Sequence, residues 1–225
     1  MERLTIKDAL VYPFRYKKWF ARYLILCLLC FVPVLGWCAV IGYMLRVTKR
    51  WSREEYEDYP DFSDFGEHFV KGFLMLLITL IFSIPAVALS FIPVVGQMVC
   101  IAWSLLLGIV LPVFYARYAS ESSVVAVFDF KLVFHFIQEN IINLLRVFIV
   151  VLSITIVFFL PIAGLVVSGA IFITTGEGEG IWTFVGGIII FLGLLFLING
   201  FIYTIYAHFA LAGNVYGIWQ RKKNI

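Results

Sequence analysis

Phe31-Val32-Pro33-Val34-Leu35-Gly36 recurs as Phe91-Ile92-Pro93-Val94-Val95-Gly96 and again as Phe159-Leu160-Pro161-Ile162-Ala163-Gly164. Each copy sets Pro two residues after Phe and Gly three residues after Pro, inside an otherwise apolar run. Proline lacks a backbone donor and clashes with the preceding helical turn, while glycine adopts dihedrals that other residues avoid. The motif therefore interrupts or reverses a hydrophobic helix, and its three copies predict three membrane hairpins or broken helices.

Outward from these turns, Lys and Arg are absent from Tyr23 to Leu45, from Gly72 to Ala116 and from Val147 to Gln220. A spanning helix needs about twenty apolar residues. The second run thus holds two spans, and the third holds two long ones joined at Gly176-Glu177-Gly178-Glu179-Gly180. The first run could form one span, but Arg15, Lys17, Lys18 and Arg22 precede it and Arg46, Lys49, Arg50 and Arg53 follow it. Short basic loops stay in the cytoplasm. With Pro33 and Gly36 at the midpoint, a re-entrant helical hairpin satisfies both facts. The expected fold is an all-α integral membrane protein with four full transmembrane helices plus an N-terminal re-entrant hairpin, both termini cytoplasmic, multi-pass in the cell membrane. Five spans, with residues 23–45 crossing once, is the alternative.

Composition agrees with this class. Of 225 residues, 63% are hydrophobic and 14% charged, with mean hydropathy +1.01, where soluble domains are near half apolar and a quarter charged. A net charge of +3 is too small a surplus to indicate a nucleic-acid partner. Cys27, Cys30, Cys38 and Cys100 all lie in apolar runs, so Cys27-x-x-Cys30 reads as small helix residues rather than a redox or zinc motif. The charged leader to Arg22 has no small-residue cleavage site after it, so the first apolar segment is expected to remain.

The whole chain, 1–225, reads as a single membrane domain of three units: 1–47 with the interfacial segment and first hairpin, 64–119 with the second, and 128–210 with the third. Residues 46–63 form a cytoplasmic linker, basic at its start and acidic through Glu54, Glu55, Glu57, Asp58 and Asp61. The second and third units also end alike, in Phe114-Tyr115-Ala116-Arg117-Tyr118-Ala119 and Ile205-Tyr206-Ala207-His208-Phe209-Ala210. Two matching units follow, and the shared turn makes the first a truncated third copy. Amphipathic interfacial helices precede the hairpins. Asp64 stands three residues before Glu67 as in a capping box, with His68 and Lys71 off the face of Phe65, Phe69, Gly72, Phe73 and Leu76. Asp129-Phe130 opens a similar element.

Tyr59-Pro60-Asp61-Phe62-Ser63-Asp64-Phe65-Gly66, followed by Phe69 and Gly72, resembles the signature of a membrane-protein family, domain of unknown function 4013. Gly42-Tyr43 and Val127-Phe128-Asp129 are similar to it too. The resemblance implies a bacterial or archaeal multi-span protein over nearly the whole chain, and brings no activity, substrate or cofactor.

Two groups of residues are candidates for contacts. Small and polar residues inside the membrane, Gly96, Ser104, Gly108, Gly193, Asn199 and Gly200, suit helix packing or solute contact. Gly96, Cys100, Ser104, Gly108, Pro112 and Ala116 recur every four residues, a stripe along which another helix can approach closely. Asn199 in an apolar run needs a hydrogen-bond partner. Near the N-terminus, Arg15, Lys17, Lys18, Trp19 and Arg22 combine cations with aromatic rings, as lipid headgroup contacts do.

No Asp, Glu, Lys or Arg falls at an expected membrane centre, which argues against proton coupling or paired intramembrane aspartates. No phosphate loop, nucleophile elbow or zinc helix motif occurs, so no enzyme, metal site or cofactor is expected. The leading expectation is a non-enzymatic scaffold or subunit of a membrane complex, in contact with membrane lipids and with other subunits or its own copies. A transporter or channel component for a small or apolar solute, and lipid or amphiphile handling at the cytoplasmic leaflet, are the alternatives.

Overall fold

The computed structural model describes residues 6–15, 18–56, 60, 62, 65–175 and 180–223. Among these the chain is helical without strands: α1 (Ile6–Val11), a 3-10 turn (Tyr12–Phe14), α2 (Trp19–Cys30), α3 (Leu35–Ser52), α4 (Phe65–Ser90), α5 (Val95–Glu121), α6 (Val124–Val127), α7 (Phe130–Thr175) and α8 (Gly180–Lys223). Helices α4, α5, α7 and α8 are long and apolar enough to cross a membrane. In α2 the apolar helix has 12 residues, a rise of about 18 Å against a hydrocarbon core of about 30 Å.

The first two copies of the Phe-x-Pro motif reverse the chain, α2 into α3 and α4 into α5, and they do so in the same way. The Leu35 N–H donates to the Pro33 carbonyl at 2.6 Å and the Val95 N–H to the Pro93 carbonyl at 2.7 Å. Each bond closes a γ-turn on a valine at positive φ, 60° at Val34 and 58° at Val94. This is the rare, strained form of the γ-turn, and a β-branched residue tolerates it poorly. Two residues on, a Cβ at Gly36 or Gly96 would collide with the Leu29 or Leu89 carbonyl of the incoming helix. Glycine is required there by the closeness of that crossing.

The third copy departs from the expectation. Pro161 lies within α7, which continues unbroken to Thr175, and Gly164 has no neighbour within 4 Å of a Cβ position. A reversal at Pro161 would have placed Glu177 and Glu179 inside the returning apolar segment, where a carboxylate is costly. The chain instead reverses between Thr175 and Gly180; the loop residues 176–179 lie outside the described residues.

The chain divides into two compact units, residues 1–148 with 206–225, and residues 149–205. In the first, α3 is the central helix. A Cβ at Gly42 would strike the backbone of His68, and one at Gly72 the carbonyl of Cys38, so α3 and α4 cross backbone to backbone. On another side Gly213 and Gly217 of α8 meet the Thr48 and Ser52 carbonyls in the same manner. The Gly213-x-x-x-Gly217 pattern is thus used within the chain. Around α3 the rings of Tyr12 and Trp51 meet at 5.3 Å, Trp51 and Tyr56 at 4.8 Å, and Tyr43 stacks on Phe62 at 4.8 Å.

The second unit is a two-helix hairpin of the second half of α7 and the first half of α8. Its contact is again made through small residues: a Cβ at Gly186 would stand 2.7 Å from the Gly169 carbonyl oxygen.

Three expectations change in detail. The basic half of the 46–63 linker is helical, because Val47, Thr48, Trp51 and Ser52 are buried at helical spacing between the cations. The amphipathic stretches before the hairpins are the leading turns of α4 and α7, with no break before the apolar part. His68, expected on a polar face, is 2% exposed because Gly42 lets α3 close over it. The Asp64 half of the capping box lies outside the described residues, and Glu67 is engaged instead by Lys71 at 2.6 Å and Arg46 at 3.0 Å.

Candidate functional site

The N-terminal segment is partly folded into the protein. Tyr12 and Pro13 are buried, with the Tyr12 ring 5.7 Å from that of Tyr206. Arg15 is ion-paired to Asp8, and Arg22 donates to the Pro60 carbonyl at 3.0 Å. Lys18 and Trp19 remain exposed at the start of α2, Trp19 against the Phe14 and Phe20 rings at 5.2 and 5.7 Å. Lys17 lies outside the described residues.

A second basic region is more concentrated. Arg46, Lys49 and Arg50 of α3 and Arg53, which caps its end, follow one another at helical spacing and line one side of the helix, and Lys71 of α4 faces them across the Gly42/Gly72 crossing. With Glu55 and Glu67 they line a depression of about 280 Å³. Glu67 is held by Arg46 and Lys71. Burial, with Arg53, Lys71 and Arg46 around it, holds the Lys49 ammonium below the usual lysine range. Five cations and two carboxylates gather here. The sequence carried the signal in the spacing of the cations, but reading residues 46–53 as a loop separated them.

An ion network around the buried Arg117 ties the end of α5 to the start of α7. Arg117 is only 5% exposed and donates to Glu121 at 3.1 Å, to the Asp129 carbonyl at 3.2 Å and to the Asp129 carboxylate at 3.3 Å. The other Asp129 oxygen accepts the Leu132 N–H at 3.1 Å, capping α7. That backbone bond, reinforced by Arg117, holds the Asp129 carboxyl below its ordinary value. Nearby, Phe82, Trp103, Leu107, Phe114 and Phe130 line an apolar cleft of about 490 Å³. It shares Lys131 and Phe134 with a second depression of about 500 Å³, edged also by Asp129, His135, Gln138 and Lys223.

The expected intramembrane contacts are mostly packing contacts. Gly96 serves the α4–α5 turn, and a Cβ at Gly108 would stand 3.1 Å from the Phe148 ring. Within the hairpin unit, one at Gly193 would lie 3.5 Å from Leu165, and one at Gly200 would lie 2.7 Å from Phe158. Ser104 is exposed. Asn199 donates to the Leu195 carbonyl of its own helix at 2.6 Å. Among the described residues no group of three His, Cys, Asp or Glu side chains is placed to hold a metal ion.

Four apolar spans, glycine-mediated crossings and a basic rim define a polytopic α-helical membrane protein. The chain belongs to the family described as protein of unknown function DUF4013, whose sequence model matches residues 25–167. Gly42, Tyr43, Phe62, Gly72 and Asp129 lie in that segment, and each makes a structural contact described above. No curated protein and no solved structure matches the chain.

Proposed function

We propose that the chain is a non-enzymatic module that assembles in the membrane with other membrane proteins or with its own copies, through the hairpin of residues 149–205. The observation that carries this reading is the pair of open glycines on that hairpin. Gly164 on α7 and Gly187 on α8 have no neighbour within 4 Å of a Cβ position, whereas Gly169, Gly186 and Gly200 are filled by contacts within the hairpin. In lipid, where apolar surface gives no net attraction between helices, such open small-residue positions are where another helix packs. The transporter reading has less support, because Asn199 donates to its own helix carbonyl.

The test is the oligomeric state of the full chain at several protein-to-lipid ratios in bilayers, with Gly164→Leu/Gly187→Leu as the variant. Assembly is expected in the wild type and loss of assembly in the variant, with helical content unchanged. A strictly monomeric chain that co-isolates with no other membrane protein contradicts the reading.

Lipid handling is a second reading, favoured by the apolar cleft that shares Lys131 with a depression edged by charged and polar side chains. An acyl chain suits the former and a headgroup the latter. Equal retention of a labelled phospholipid by the wild type and by Trp103→Ala/Phe130→Ala counts against it.

A further inference from the structure

We infer that Lys49, Arg53 and Lys71, framed by Arg46 and Arg50, form a binding site for a phosphate-bearing anion at the membrane boundary, met in the bilayer as the headgroup of an acidic phospholipid. The site rests on neither reading above.

The argument begins with position. Arg46 is the first cation after the apolar run ending at Leu45, and Lys71 is the last before the run beginning at Gly72. Both flanks of the depression therefore stand where apolar sequence gives way to polar, which is the depth of lipid phosphates. The cations are also held together by the fold rather than gathered by loose side chains. The Gly42/Gly72 crossing brings the α3 and α4 backbones into contact, and Val47, Thr48 and Trp51 anchor the other faces of α3 at 0% exposure. Lys71 thereby faces cations 18 to 25 positions earlier in the chain.

Charge supplies the chemistry. The depression gathers an excess of three positive charges, equal to the net charge of the entire chain. Glu67 occupies Arg46 and Lys71 on one side, and among the described residues no carboxylate pairs with Lys49 or Arg53. Like charges held this closely repel one another, and an anion between them relieves the repulsion. A volume of about 280 Å³ suits a phosphate with its glycerol or a small headgroup. Guanidinium groups bind phosphate oxygens in pairs and ammonium groups bind them as point charges, and both kinds are present. The N-terminal cations form a poorer site, since Arg15 is paired with Asp8 and Arg22 is turned to a backbone carbonyl.

The experiment uses the full chain in nanodiscs of phosphatidylcholine, with and without phosphatidylglycerol, and counts lipids retained on extraction by native mass spectrometry. Wild type is expected to retain phosphatidylglycerol over phosphatidylcholine. Lys49→Gln/Arg53→Gln is expected to lower that preference about thirty-fold, from two basic contacts near a charged leaflet. Arg146→Gln/Lys222→Gln, which removes the same charge elsewhere, is expected to leave it. A second arm titrates detergent-solubilised protein carrying bound phosphatidylglycerol with glycerol phosphate and with inorganic phosphate. Displacement of phosphatidylglycerol by either one at the wild-type site also supports the site and identifies a soluble phosphate as the competing source. The wild-type comparison needs no variant to fold: equal retention of the two lipids, with no phosphate binding, overturns the inference. So does an equal loss in both double variants.

Discussion

Asp129 shows how one side chain serves two helices. It caps α7 through the Leu132 N–H and anchors Arg117 at the end of α5. Because both partners favour the carboxylate, the folded-state pKa lies below its ordinary value of 3.8. The resulting stability is fully present above that value and is lost as pH falls through the lower, folded-state value. Asp129→Asn keeps a capping oxygen and removes the charge. The variant is expected to melt a few degrees below wild type at pH 7, and the gap should close as pH falls through the folded-state value; a gap independent of pH would show that charge has no part in it. The sequence showed Asp129 at the start of a helix. It could not show Arg117, which sits at the end of an apolar run like any interfacial anchor, and whose burial depends on how α5 meets the start of α7.

Also at this scale, Val34 and Val94 occupy a conformation that costs a valine about 1–3 kcal/mol. Val34→Gly relieves that strain against a smaller loss of unfolded-state order, and should raise stability by about 1 kcal/mol. Unfolding of the purified protein in a denaturing detergent measures this. A destabilised Val34→Gly chain would mean that the valine side chain contributes more through packing than its backbone loses.

At the scale of elements, the position of α3 follows from glycines. Gly72→Leu must drive a side chain into the Cys38 carbonyl and should cost about 3 kcal/mol. Gly66→Leu, on the same helix but with open space around it, should cost almost nothing. Equal effects on thermal unfolding would remove α3 from the centre of the bundle. The sequence made the first two reversals legible because proline, glycine and an apolar surround coincide there. It misled at Pro161, where the same six-residue pattern lies in a helix, because a polar Gly-Glu-Gly-Glu-Gly stretch further on takes the reversal. Local chemistry permits a turn at all three positions; only the cost of burying Glu177 and Glu179 decides between the last two. The basic face of α3 was hidden for a similar reason. Charge density suggested a linker, and the buried residues interleaved with it, Val47, Thr48, Trp51 and Ser52, supplied the opposite reading.

For the molecule as a whole, four apolar spans were legible because the cations divide the chain so sharply, and the glycine crossings were not, because nothing local says which helix a glycine will meet. We propose that α2 and α3 re-enter the membrane, so that the N-terminal cations, the basic end of α3 and the C-terminus share one face. α2 is too short to cross alone, and both ends of the hairpin are basic. The most direct test is the labelling of single cysteines from each side of sealed membranes, at Lys18, Arg53 and Gly178, in a chain lacking the four native cysteines. The account predicts that Lys18→Cys and Arg53→Cys label from the same side and Gly178→Cys from the other. Labelling of Lys18→Cys and Arg53→Cys from opposite sides would make residues 23–45 a true span and contradict it.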